Sequence, residues 1–108
     1  METIFARELD LYRDSRKYTI IDVRSREDYA KQHISGAKNY PYQELEDKFP
    51  NLPVDKEYIL YCDKGAVSLE VAREFERRGY HARSVIGGIK AYRGKYLTVR
   101  IDSSAPLL

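Results

Sequence analysis

The chain's one cysteine, Cys62, directly follows the apolar run Tyr58-Ile59-Leu60-Tyr61 and directly precedes Asp63-Lys64-Gly65-Ala66-Val67-Ser68. From Ala66 onward, Val67, Val71, Ala72 and Phe75 recur at helical spacing. The pattern reads as a buried strand, a tight loop and a helix N-terminus, with Cys62 at the hinge. Gly65 lets the loop curl. Successive backbone N–H groups can then converge, and the free N–H groups and positive dipole end of the helix reinforce them. A thiol held there has a lowered pKa and a larger thiolate share near neutral pH. Lys64 adds positive charge; Asp63 opposes the thiolate unless its carboxylate turns outward. The competing reading is that a lone cysteine ending an apolar strand is only a small buried hydrophobe.

A thiolate inside a cradle of N–H groups suits two chemistries. It can attack phosphorus and hold a phospho-cysteine, or attack a sulfane sulfur and hold a persulfide. The phosphoryl route needs a guanidinium to clamp the phosphoryl oxygens, usually six residues after the cysteine. Ser68 occupies that position, and no arginine lies in the loop. Protein-phosphatase and arsenate-reductase chemistry are therefore disfavoured.

The elements that must hold this turn follow from the rest of the chain. Its 108 residues fit one domain, and its 43% hydrophobic content supports a modest core. Lys and Arg number 19 against 17 Asp and Glu, a formal charge of +2, which argues for neither nucleic acid nor a membrane surface as partner. No apolar run approaches the roughly 20 residues of a membrane span. Met1-Glu-Thr-Ile-Phe5 lacks an apolar signal core, so no secretion is inferred. A single cysteine makes no internal disulfide, and with His33 and His81 as the only histidines no cysteine-based metal site is expected. A reducing cytoplasm is the expected setting, and no cofactor is implied.

In order, Thr3 to Phe5 reads as a short strand and Ala6 to Asp14 as a helix, with Phe5, Leu9 and Tyr12 at helical spacing. Tyr18 to Val23 is β-branched and apolar on both faces, as a central parallel strand would be. Ser25 caps a helix over Arg26 to Gln32, with Asp28 in its first turn. A turn at Gly36, a short strand over Ala37 to Asn39, a helical stretch over Tyr42 to Lys48 and a loop over Phe49 to Pro53 lead to the Cys62 strand. Gly79 ends the long helix. Ala82 to Ile86 is a further strand, Gly87-Gly88 a tight turn, Ile89 to Arg93 a short helix, and Leu97, Val99 and Ile101 alternate as in a last strand or extended tail. Alternating strands and helices predict an α/β layer fold with a mostly parallel sheet. Ligands in such folds bind beyond the carboxyl ends of the strands, where Cys62 sits.

Several of these segments together resemble the rhodanese family. Asp22-Val23-Arg24 with Glu27 and Tyr29 is similar to its first signature, and Gln32 to Ala37 with Asn39 and Pro41 to the segment that follows. Tyr61-Cys62 with Gly65 and Ser68 resembles the active loop, and Gly79-Tyr80 with Val85 to Gly88 the closing segment. The resemblance runs over about residues 4–94 in the family's order. It implies a rhodanese-like α/β domain over residues 1–96, with a central, mostly parallel, five-stranded sheet and helices on both faces, and a C-terminal extension or tail over 97–108. It implies that Cys62 takes sulfane sulfur from a small donor such as thiosulfate. It passes that sulfur to cyanide, or to a thiol or protein acceptor, while the amides of Asp63, Lys64, Gly65, Ala66, Val67 and Ser68 cradle the persulfide. The loop from Cys62 to Val67 has the sulfurtransferase length, one residue shorter than in related phosphatases.

The chain departs from the family pattern in places. Many single-domain members carry arginine where this chain has Val67, so a dianionic donor meets only Lys64 and backbone N–H groups. Turnover with thiosulfate is then expected to be poor. A non-catalytic binding or regulatory module of the same fold is the alternative. Gln32 and Ser35 replace a common glycine and proline, and Tyr92 stands where tryptophan is frequent. Asp22 and Arg24, at the end of a central strand, are expected mainly to lock neighbouring loops, with an orienting role for Arg24 near Cys62 as the sharper option. His33 reads as a hydrogen-bonded structural residue and His81 as a solvated turn residue. The ten tyrosines read as packing, and Arg73, Arg77, Arg78 and Arg83, interleaved with glutamates, as a solvated helix face.

Overall fold

The fold comes from a computed structural model, which describes residues 2–100. Strands β1 (Glu2–Phe5), β2 (Tyr18–Asp22), β4 (Lys38–Asn39), β5 (Glu57–Tyr61) and β6 (His81–Ile86) form one sheet in the order β1-β6-β5-β2-β4. Every pair in it is parallel. Helices α1 (Leu9–Asp14), α2 (Arg26–Lys31), α3 (Leu45–Lys48) and α4 (Ala66–Arg77) connect the strands. A separate antiparallel pair joins β3 (Gln32–Ile34) to β7 (Leu97–Val99). The expected α/β layer fold is thus present, a five-stranded parallel sheet flanked by helices.

Alternation along β5 explains the two-sided core. Tyr58, Leu60 and Cys62 face a cluster with Val71, Ala72 and Phe75 of α4 and with Leu45, Phe49 and Tyr80. Ile59 and Tyr61 face the other way, against Ile4, Leu9, Ile34, Val85 and Tyr92. A strand buried on both faces must be apolar at every position, as Tyr58 to Tyr61 is. The first cluster is aromatic at its centre: the rings of Phe49 and Phe75 lie 5.0 Å apart, and those of Phe75 and Tyr80 5.4 Å. The buried tyrosine hydroxyls keep partners, Tyr58 on the Pro53 carbonyl at 2.6 Å and Tyr80 on that of Phe49 at 2.8 Å.

Local structure departs from the sequence expectations in a few places. Gln32 does not close α2; it opens β3, because β7 returns to pair with it, a long-range contact that local periodicity does not carry. Ala6–Glu8, Tyr42–Glu44, Phe49–Asn51 and Ile89–Ala91 are 3-10 turns, so the predicted first helix starts as one and the predicted loop at Phe49 contains one. Phe5 belongs to β1 and is exposed. His81 opens β6 instead of sitting in a turn, and Arg83 lies on β6, 3.7 Å from Glu57, not on the α4 face. The Arg73, Arg77 and Arg78 side chains do pair with Glu70 and Glu74 along α4. Ile101 and the rest of the segment after Arg100 lie outside the described residues. No helix among the described residues is long and apolar enough to cross a membrane.

Candidate active site

Cys62 follows the last residue of β5, and its loop rises into α4. Gly65, at φ +112°, is the N-cap of α4. A side chain there would be strained by that backbone angle, and its Cβ would lie 3.1 Å from the Gly87 nitrogen. The curl brings two backbone donors onto the sulfur: the N–H of Gly65 at 3.1 Å and the N–H of Ser68 at 3.3 Å. The Ser68 hydroxyl stands 3.5 Å from Sγ. As a thiol, Cys62 donates to that oxygen; as a thiolate it must receive. Burial pushes the thiol up, yet the Ser68 hydroxyl and the backbone N–H groups of Ser68, Gly65 and Lys64 outweigh it. They hold Cys62 below its ordinary value. Cys62 is thus buried without being only a hydrophobe.

The outward carbonyls of the loop are clamped by the turn after β6. Ile89 N–H donates to the Cys62 carbonyl at 2.9 Å, and Lys90 N–H to that of Asp63 at 3.1 Å. With the carbonyls pinned outside, the N–H groups are left facing in. Gly88 makes this approach feasible: a Cβ there would sit 2.4 Å from the Cys62 oxygen. The Gly87-Gly88 pair, expected only as a turn, therefore shapes the site.

A cleft of about 500 Å³ opens at Cys62. Asp63, Lys64, Ala66 and Val67 line it from the loop, while Gly65 and Ser68 lie beneath and hold the sulfur. Val67 is 41% exposed. Val23, Arg24, Asp28, Tyr42 and Lys90 also line it, from outside the loop. Asp28, Tyr42, Gln43 and Lys90 were not among the expected site residues. Only the fold brings them to the loop, although the order of a parallel sheet places the ends of β2 and β6 beside that of β5.

Asp22 and Arg24 form a buried pair. Arg24 donates from Nε and Nη2 to the Asp22 carboxylate, the latter at 2.7 Å, and from Nη2 to the Gln32 carbonyl at 2.6 Å. Its backbone N–H also reaches Asp22 at 2.8 Å. Burial alone would lower the Arg24 pKa, but the Asp22 bond and charge hold it above its ordinary value. Arg24 Nη1 lies 3.5 Å from Asp63 Oδ1, so one guanidinium ties the end of β2, β3 and the Cys62 loop together. The expected locking role is seen, and the same residue also borders the cleft. Asp63 turns toward Arg24 and solvent instead of toward the sulfur.

Two further residues sit as expected. His33 bonds the Tyr29 carbonyl through Nδ1 at 2.8 Å and stacks on the Tyr29 ring at 3.8 Å. Tyr92 is buried, and its hydroxyl donates to Asp10 at 2.5 Å and accepts from Tyr96 N–H at 2.9 Å. Ser84 was missed. It is buried on β6 behind the loop, 2.8 Å from the Ser68 hydroxyl, and no sequence motif marks it.

Comparison with known proteins points the same way. A family model described as "Rhodanese-like domain" matches residues 5–95. The chain is 43% identical over 74 residues to a tRNA sulfurtransferase of Desulfurococcus amylolyticus, covering 68% of this chain but only 14% of that protein. It is 32% identical over 76 residues to "Putative sulfurtransferase YtwF" of Bacillus subtilis, 70% of this chain and 74% of the relative. A crystal structure of a rhodanese-like domain protein from Staphylococcus aureus superposes with a TM-score of 0.83 at 28% identity, covering 94% of this chain and all of that one.

Proposed function

The chain belongs to the rhodanese-like domain family, and from that premise we propose that it is a sulfurtransferase working through a Cys62 persulfide. One observation carries the proposal: the Cys62 sulfur accepts the N–H groups of Gly65 and Ser68 at 3.1 and 3.3 Å within a loop whose carbonyls are held outward. Such a cradle stabilises anionic sulfur before and after transfer.

With thiosulfate as donor, the Cys62 thiolate attacks the sulfane sulfur. The sulfur–sulfur bond breaks, sulfite leaves with the electron pair, and the enzyme holds Cys–S–S⁻. Cyanide or an acceptor thiolate then attacks the outer sulfur, which departs as thiocyanate or as the acceptor's persulfide. The Cys62 thiolate is restored without net oxidation or reduction. Asp63 to Ser68 supply the cradle, Lys64 and Lys90 supply positive charge at the cleft, and Arg24 holds the loop against β2. No guanidinium projects from the loop, and Arg24 directs Nε and Nη2 to Asp22 and Gln32, so the clamp of phosphoryl transfer is missing from this reading. The setting is a reducing cytoplasm, with a small sulfur donor and a thiol acceptor as partners.

Intact-mass measurement after exposure to thiosulfate and other sulfane donors tests this. Covalent capture at the nucleophile adds one sulfur, about 32 Da, and Cys62→Ser loses both the adduct and thiocyanate formation. Transfer retained in Cys62→Ser would sink the proposal. The exposed Val67 in place of a cation favours a second reading, a binding or regulatory module. It predicts no adduct with any donor.

A further inference from the structure

Two buried hydroxyls stand behind the reactive sulfur. Ser68 Oγ and Ser84 Oγ lie 2.8 Å apart, with Ser68 fully buried and Ser84 2% exposed. Ser68 Oγ is also 3.5 Å from Cys62 Sγ and 3.2 Å from the Gly65 carbonyl. A hydroxyl has one proton to donate and two lone pairs to fill. Ser68 therefore cannot donate to Ser84, Gly65 and Cys62 at once.

The surroundings resolve the competition. Among the described residues, Ser68 Oγ is the only hydrogen-bond partner of the Ser84 hydroxyl. A buried hydroxyl is costly to leave unpaired, so the Ser84 proton goes to Ser68 Oγ. That leaves the Ser68 proton with Gly65 or Cys62. The Gly65 carbonyl also accepts Leu69 N–H at 3.1 Å, so it keeps a partner when Ser68 turns away. A thiol does not need the proton, because its own S–H donates to Ser68 Oγ; an anionic sulfur does need it.

We propose that Ser84 is a positioning residue for the chemistry of Cys62: its buried hydroxyl donates to Ser68 Oγ and turns the Ser68 proton onto the sulfur whenever the sulfur is anionic. The inference rests on Cys62 being the nucleophile. Ser84 touches neither substrate nor sulfur, since β6 places it beneath the loop, register partner of Leu60 on β5. The charged groups around the sulfur lie elsewhere: Asp22 and Arg24 from the β2 end, Asp28 from α2, Asp63 and Lys64 from the loop, and Lys90 from the turn after β6. Changes at Ser84 leave all of them in place.

The test is ultraviolet titration of the Cys62 thiolate in the wild type, Ser84→Ala, Ser68→Ala and the double variant. Ser84→Ala removes a single oxygen, and Ser68 retains its bond to Gly65, so the fold is kept; far-ultraviolet circular dichroism checks this. Without the Ser84 proton on its oxygen, the Ser68 hydroxyl donates less strongly to the sulfur, so the thiol pKa should rise by about half a unit to one unit in Ser84→Ala. In the Ser68→Ala background the Ser84 change should add nothing, because its effect passes through Ser68. Sulfur transfer by Ser84→Ala should be slowed several-fold below the wild-type thiol pKa and match wild type well above it. An unchanged pKa in folded Ser84→Ala, or an equal rise in the Ser68→Ala background, overturns the inference. Thiolate titration needs no sulfur donor, so a protein that forms no persulfide would defeat the sulfurtransferase proposal while still deciding this one.

Discussion

The backbone N–H of Ile89 donates to the carbonyl of Cys62 at 2.9 Å. That single bond joins the end of β5 to the turn after β6 and keeps the Cys62 carbonyl out of the cradle. The turn comes this close only because Gly88 carries no side chain. At φ +60°, with a built Cβ 2.4 Å from both the Cys62 and Asp63 carbonyl oxygens, Gly88→Ala must move backbone. Strain of this kind costs about 1–3 kcal/mol, and the displaced loop should lose its inward N–H groups. The expected outcome is a lower urea midpoint together with a thiol pKa risen toward about 8.5. A variant that loses stability but keeps the wild-type thiol pKa would show that the turn does not shape the cradle.

Cys62 should make stability depend on pH. Its folded-state pKa is lowered below the unfolded value by the Ser68, Gly65 and Lys64 donors. The folded state therefore holds fewer protons in the window between the two values. The contribution is absent below the folded pKa, grows as pH rises through that window and is complete above the unfolded pKa. Cys62→Ser has no such titration. The stability difference between wild type and Cys62→Ser, from urea unfolding at about pH 6 and about pH 9.5, should shift in favour of the wild type at the higher pH. A difference that stays flat would mean that the thiolate is not held by the loop.

Arg24→Ala should be among the most damaging single changes. It leaves the fully buried Asp22 carboxylate without its guanidinium and frees the Gln32 carbonyl and the Asp63 side chain. Breaking a buried pair by removing one partner costs about 3–5 kcal/mol. Exposed pairs such as Arg73–Glu70 should matter by less than about 1 kcal/mol. Chemical unfolding of Arg24→Ala beside Arg73→Ala makes the comparison, and similar losses in both would contradict the structural role given to Arg24.

Val67→Arg should change the substrate and spare the fold. Val67 is exposed and lines the cleft with Lys64 and Lys90, which form no ion pair among the described residues. An added guanidinium can reach an anionic donor by a charge-assisted bond, which contributes about 1.5 kcal/mol or more, roughly tenfold in affinity. KM for thiosulfate should fall by about that factor, with stability within about 0.5 kcal/mol of wild type. An unchanged KM would place the donor elsewhere in the cleft.

The elements that rest on local pattern are written in the order of residues alone. Tyr58 to Tyr61 reads as a buried strand, and the spacing of Val71, Ala72 and Phe75 as a helix packed on it. With Gly65 between them, the strand–loop–helix hinge at Cys62 is legible in the residue order, as is the alternation that points to a parallel sheet. The remainder rests on contacts between segments far apart in the chain. β7 drew Gln32 out of its expected helix into β3. Gly87-Gly88 read as a turn, and only the sheet order showed that it clamps the Cys62 loop. Arg24 and Tyr42 reached the cleft because the end of β2 lies beside that of β5. Ser84 carried no signal at all, since one serine in an ordinary strand says nothing about which hydroxyl lies across from it. Local propensity acts along the chain and is written in spacing. The cradle's clamp and the second hydroxyl behind Cys62 come from register between strands, which spacing does not encode.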